Sequence, residues 1–164
     1  KNYVQYLQES YLLIVIERFS NKLKQQIIAP KKAYSIDQGF CNFISFNMSK
    51  NQGRLLENIA GIELSRIKAK NPELEVYYWK DHQQNEVDFV IKKNRKIIQL
   101  IQVCHDPTDN ATMERETKSL LKAAAELKCK NLLILTSDYE GIKSIKKLKF
   151  QFSPLWKWLL KTND

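Results

Sequence analysis

The stretch NEVDFVIKKNRKIIQLIQVCHD, residues 85–106, reads as two strands joined by a basic turn. Three polar residues stand out in it: Asp88 inside Val-Asp-Phe-Val-Ile, and Gln102 and Cys104 on the second strand. An acid inside a run of this kind is costly unless a partner receives it. Strand parity puts Asp88, Val90 and Lys92 on one face of the first strand, and Ile98, Leu100, Gln102 and Cys104 on one face of the second. If Lys93-Asn94-Arg95 forms a three-residue loop, Asp88 lies opposite Leu100 and diagonal to Gln102, roughly 7–8 Å away and near enough to share a ligand. A loop of two or four residues would put the two on opposite faces.

Working outward, Val76 to Trp79 reads as a strand of aromatic and branched residues, and Asp81 to Asn85 as the turn into Glu86, giving a three-strand meander. After Pro107 an amphipathic helix is expected over Thr112 to Leu127, then a strand buried on both faces, Asn131 to Thr136. A strand-helix-strand crossover of this length implies parallel pairing. Upstream, a broad apolar stripe from Leu55 to Ile67 predicts a helix over Gln52 to Lys70, capped by Ser49 or Asn51 and stopped at Asn71-Pro72. Residues 1–10 suit a helix, Tyr11 to Phe19 a buried strand, and Ile27 to Ile36, interrupted by Pro30, its partner across a polar connection. Phe40 to Met48 has no decisive period. Downstream, a basic segment from Gly141 to Lys149 leads to Phe150-Gln151-Phe152, and Ser153-Pro154 reads as the cap and first turn of a Trp-rich helix through Leu160. The order gives an α/β mixed sheet flanked by helices.

With 164 residues and 43% hydrophobic content, the chain is expected to form one well-buried domain with a small appendage. No apolar run reaches the roughly 18 residues of a membrane span, and the start does not resemble a signal peptide, so no membrane partner is expected. Three widely spaced cysteines, Cys41, Cys104 and Cys129, argue against a disulfide framework or a structural zinc site and fit a cytoplasmic location. A formal charge of +9 favours nucleic acid or another polyanion as partner. The candidate contacts are Lys92, Lys93, Arg95 and Lys96 in the central turn, with Lys143, Lys146 and Lys147 near the end; a set of solvated turns is the bland alternative.

Carboxylates on neighbouring strands are what a metal-dependent phosphodiesterase uses to hold Mg²⁺ or Mn²⁺, with a cation beside the attacked phosphate. Asp88 supplies one oxygen ligand, Gln102 a neutral one, and Glu57, an acid within the apolar stripe of its helix, a third. A structural ion pair is the alternative for Glu57. Cys104 cannot supply positive charge and reads as a small buried hydrophobe. Lys92, on the face of Asp88, or Lys80 would have to provide the cation.

Several segments together resemble the C-terminal domain of unknown function found in prokaryotic AAA-type ATPases, within the PD-(D/E)xK nuclease-like superfamily. They are Lys32 to Gly39, Gly53 to Asn58, Val76 to Trp79, Glu86 to Val90, Gln102 to Cys104, Glu114 to Glu116 and Pro154 to Leu160. The resemblance implies a restriction-endonuclease-like domain over residues 37–164, preceded at 1–36 by the tail of a winged-helix-like linker. It implies an N-terminal ATPase module as partner in the parent chain, although this chain has no phosphate-binding glycine loop and is not expected to bind ATP. Carried over, the helix acid is Glu57, the strand acid Asp88, the Glu/Gln position Gln102 and the lysine position Cys104. That departure favours a nucleic-acid-binding accessory domain with a degenerate metal site. The alternatives are an active Mg²⁺- or Mn²⁺-dependent nuclease with a migrated lysine, and a protein-interaction module of the ATPase.

Overall fold

The computed structural model of the chain describes residues 2–37, 39 and 52–162. The first elements are α1 (Asn2–Glu9), β1 (Leu13–Arg18), α2 (Leu23–Ile28) and β2 (Lys32–Ser35). Then come α3 (Gln52–Lys70), β3 (Leu74–Lys80), β4 (Glu86–Lys93), β5 (Lys96–Val103) and α4 (Asn110–Leu127). The chain closes with β6 (Leu132–Thr136), β7 (Gly141–Ile145), β8 (Leu148–Pro154) and α5 (Leu155–Thr162). Phe40 to Met48, Cys41 and the caps expected at Ser49 or Asn51 lie outside the described residues.

One eight-stranded sheet in the order β2-β1-β3-β4-β5-β6-β8-β7 organises these elements. The expected meander is present, β3 to β4 to β5 antiparallel, and α4 carries the chain over to β6 in parallel with β5. Every residue of β6 is buried, as expected of a continuous apolar strand flanked by parallel β5 and β8. Two cores lie on the sheet. Leu100, Ile134, Phe150 and Phe152 pack with Leu120 and Ala123 of α4, whereas Phe89, Ile101, Leu133 and Leu135 pack with Ala60 and Leu64 of α3 and Leu155 of α5. Among the described residues no helix is long and apolar enough to cross a membrane.

Three expectations need correction. Only Lys32–Ser35 of the segment 27–36 is a strand, because Leu23–Ile28 is helical and Pro30, which has no N–H to give a ladder, falls in the connection. Pro154 does not open the last helix: it closes β8 opposite Thr136, and α5 starts at Leu155. The turn after β4 has two residues, Asn94 and Arg95, since Lys93 pairs with Lys96. By parity alone that turn would separate Asp88 from Gln102. A bulge restores them, because Lys92 pairs with Ile97 but Ile91 pairs with Gln99, so β5 carries one extra residue at Ile98.

β1 and β2 extend the same sheet, β1 running parallel to β3 with Glu17 beside Tyr77 and Arg18 beside Tyr78. Ile16 and Tyr34 belong to the core that holds Phe89, so packing continues across the boundary expected at residue 36. Gly61 of α3 explains how closely the helix meets β2: a Cβ there would sit 3.0 Å from the Tyr34 ring. That approach aims the Tyr34 hydroxyl at Glu57, one helical turn earlier.

Candidate functional site

The backbone register of β4 and β5 runs to Phe89 opposite Ile101, and its next step brings Asp88 to Gln102. There the side chains take over from the ladder. The Asp88 N–H donates to Gln102 Oε1 at 3.2 Å, and the Val103 N–H donates to Asp88 Oδ2 at 2.9 Å. Both side chains are buried, at 6% and 5% exposure, so these bonds form in a medium where a lost partner would be costly.

The other Asp88 oxygen, Oδ1, accepts from Lys32 Nζ at 2.9 Å. The same ammonium lies 2.9 Å from Glu57 Oε1 and 2.7 Å from Glu86 Oε1, and 5.6 Å from the centre of the Tyr78 ring. Tyr34 donates its hydroxyl to Glu57 Oε1 at 2.8 Å. Lys32 comes from β2, Glu57 from α3 and Asp88 from β4, so one cation ties three elements together. Burial works against the Lys32 ammonium, but the Asp88 and Glu57 carboxylates outweigh it and hold the group above its ordinary range. Burial pushes Asp88 up to about 7, with the Glu57 charge adding to the rise and Lys32 opposing it. Burial also opposes ionisation of Glu86, yet its bonds to Lys32 and Lys80 keep it below the usual carboxylate value.

Gln102 joins this cluster to a second buried acid. Its Nε2 donates to Glu116 Oε2 at 2.7 Å, and Glu116 Oε1 receives the guanidinium of Arg115, with Arg115 Nη2 at 2.6 Å. The Gln102 amide is therefore fixed at both ends. Cys104 sits in the core under α4, where burial and then the Glu116 charge push its thiol up to about 11. It is a neutral hydrophobe, as the sequence suggested, and takes no part in the cluster.

The residues that the resemblance assigns to a metal do come together, but their present arrangement does not fit a divalent cation. Lys32 sits where the Glu57 and Asp88 oxygens converge, the second Asp88 oxygen is held by a backbone N–H, and the Gln102 oxygen is committed to the Asp88 amide. Among the described residues no three His, Cys, Asp or Glu side chains are placed to hold a metal ion.

Of the lysines considered as a replacement cation, Lys92 pairs with Glu75 at 2.6 Å and stays away from the acids, while Lys80 reaches only the rim, 3.0 Å from Glu86 Oε2. The lysine beside the carboxylates is Lys32, which the sequence reading did not assign to the site. Its signal was modest: Lys32 and Tyr34 share strand parity, so one face of a short strand presents a cation and a phenol together. Glu116 was also missed, and its signal was clearer. It lies between Met113 and Leu120 on the apolar side of α4, the same anomaly that drew attention to Glu57.

The candidate nucleic-acid contacts fall elsewhere. Lys92 and Lys93 end β4, Arg95 is in the turn and Lys96 starts β5, while Lys146 and Lys147 form the turn that starts β8. Because Leu100 pairs with Leu132 and Leu132 with Phe150 in parallel, the starts of β5, β6 and β8 share one end of the sheet. Lys128 and Lys130, just before β6, join them there. Lys93 is paired with Glu73 at 2.6 Å, whereas Arg95, Lys96, Lys146 and Lys147 are exposed and make no ion pair among the described residues. Lys143, on edge strand β7, lies 5.3 Å from the Tyr139 ring centre. Gln102 is six residues along β5 from Lys96, roughly 20 Å at about 3.3 Å per residue.

Residues 52–158 match the family described as Domain of unknown function (DUF4143), and the chain belongs to that family. It is also 38% identical over 165 aligned residues to the uncharacterized protein MJ1544 of Methanocaldococcus jannaschii. The alignment covers 97% of this chain and 35% of that protein, so the chain spans about a third of the length of the curated relative it matches. No solved structure matches the chain.

Proposed function

Taking the chain as a DUF4143 member, we propose that it is a nucleic-acid-binding accessory domain of an AAA-type ATPase, built on a restriction-endonuclease-like fold whose metal site no longer works. The element order, the acid on α3 and the polar residues facing each other on β4 and β5 support the fold reading. The alignment to a third of a longer relative supports the accessory role. The observation that carries the function is the gathering of Arg95, Lys96, Lys128, Lys130, Lys146 and Lys147 at one end of the sheet, drawn from three separate connections. Glu73 and Glu75 at that end pair with Lys93 and Lys92, none of these six cations makes an ion pair among the described residues, and a concentrated positive field of this kind releases counterions when it meets phosphates.

The test is binding of labelled DNA and RNA as salt is raised. The expected result is affinity that falls steeply with salt, with Arg95→Glu and Lys96→Glu together lowering the log–log slope by about 2. Absence of binding at low salt would sink the proposal. A second reading, an active Mg²⁺- or Mn²⁺-dependent nuclease, is favoured by Lys32 lying against both Glu57 and Asp88. It predicts divalent-dependent cleavage that disappears in Asp88→Ala and in Lys32→Ala. The roughly 20 Å between acids and basic end weighs for binding without cleavage.

A further inference from the structure

We propose that the groove between the α2 side and the end of α4 binds single-stranded nucleic acid, its phosphates meeting Arg95, Lys96 and Lys128 and its bases meeting Phe19 and Tyr77. This rests on the nucleic-acid reading above and specifies which nucleic acid is bound and where. The groove has a cavity volume of about 600 Å³. Its floor is Tyr77 of β3, one wall is the β1–α2 connection with Ser20 and Asn21, and the other is the last turn of α4. It runs on into a second cavity of about 240 Å³ that shares Phe19, Ser20 and Asn21 and adds Lys22 and Lys80.

Three features suit a single strand. The first is charge: Arg95, Lys96, Lys128 and Lys22 are exposed and make no ion pair among the described residues. The acid that lines both cavities, Glu126, accepts the Trp79 indole N–H at 3.1 Å. The second is aromatic surface. Phe19 and Tyr77 meet edge to face, 5.7 Å between centroids, and both remain partly exposed, leaving ring surface against which an unpaired base can stack. Lys92, paired with Glu75, lies 6.0 Å from the Tyr77 ring centre and, with the Tyr77 hydroxyl bonded to the same carboxylate, holds that ring in place. The third is shape. Asn21 puts an amide on the wall for the edges of splayed bases, beside Ser20 and Gln26, whose hydroxyl and amide N–H are bonded to Gln25 and Glu17. A duplex turns its bases inward and would use the rim cations alone.

The experiment is fluorescence anisotropy of the 164-residue chain with a labelled single-stranded oligonucleotide and with the duplex of the same sequence, at fixed low salt. The single strand is expected to bind at least about tenfold more tightly. Arg95→Glu with Lys96→Glu should weaken it by about tenfold or more, and Lys146→Glu with Lys147→Glu by several-fold less. Phe19→Leu, with folding checked by its thermal melt, should weaken the single strand and leave the duplex unchanged. Equal or tighter duplex binding, or loss that follows Lys146 and Lys147 instead, would overturn the groove while leaving the nucleic-acid reading intact. Failure of both oligonucleotides to bind would overturn both.

Discussion

The two charged regions of this molecule use positive charge in opposite ways. Around Asp88 a single lysine lies within 3 Å of three carboxylates, one of which also accepts from a phenol, and the lysine side chain is 18% exposed. At the far end of the sheet, Arg95, Lys96, Lys146 and Lys147 stand exposed and make no ion pair among the described residues. The first arrangement spends its charge inside the fold, and the second leaves it available to a partner. Identical residue types thus end up paired or unpaired according to the acids within reach, which composition does not reveal.

The sharpest way to break this contrast is to remove the enclosed cation. Lys32→Met removes the ammonium that Glu57, Glu86 and Asp88 share and should cost about 3–5 kcal/mol, read by chemical denaturation. Mn²⁺ should raise the melting temperature of this variant more than that of the wild type, because a divalent ion then meets carboxylates no longer held by an ammonium. A loss below about 1 kcal/mol would mean that the acids do not depend on Lys32, and the enclosed region would lose its claim to be structural.

The next effect is a dependence on pH. With Asp88 at about 7 in the folded chain and 3.8 as its ordinary value, the folded state holds a proton between these limits that the unfolded state has released. Stability should therefore fall as pH rises across that window, by up to about 1.4 kcal/mol per pH unit, and Asp88→Asn should remove the slope. Glu86, held below its ordinary 4.5, acts in the opposite sense and only at lower pH. Denaturation midpoints at pH 4.5, 5.5 and 6.5 for both proteins measure the difference, and parallel curves would show that Asp88 is ionised throughout.

How far the sequence discloses these regions depends on the range of the interactions. The meander, the crossover to β6 and both long helices follow from periodicities within a dozen residues, and they are found where expected. Asp88, Glu57 and Gln102 were visible as polar residues in apolar surroundings, an anomaly that is local. Lys32 was not assigned to the site because its partners lie 25 and 56 positions away, and its shared strand parity with Tyr34 is the one nearby sign. Strand parity alone also failed for Asp88 and Gln102. It would have been defeated by the two-residue turn, and only the bulge at Ile98, without a Gly or Pro to announce it, brings the pair back together.

The smallest expected effect tests the exposed region through its own backbone. Lys146 and Lys147 form a two-residue hairpin turn with φ of 48° and 66°, the left-handed region that Asn-Gly fills with least strain. Side chains other than glycine, and to a lesser degree Asn, are disfavoured there by roughly 1–2 kcal/mol each, so the turn holds its two lysines against local preference. Lys146→Asn with Lys147→Gly should therefore stabilise the chain by about 1 kcal/mol while removing two cations from the basic end. If the region serves binding, the variant melts later but binds nucleic acid more weakly, with a salt slope lowered by up to about 2. A gain in stability with no change in affinity would confine the functional surface to the turn between β4 and β5 and the groove beside it.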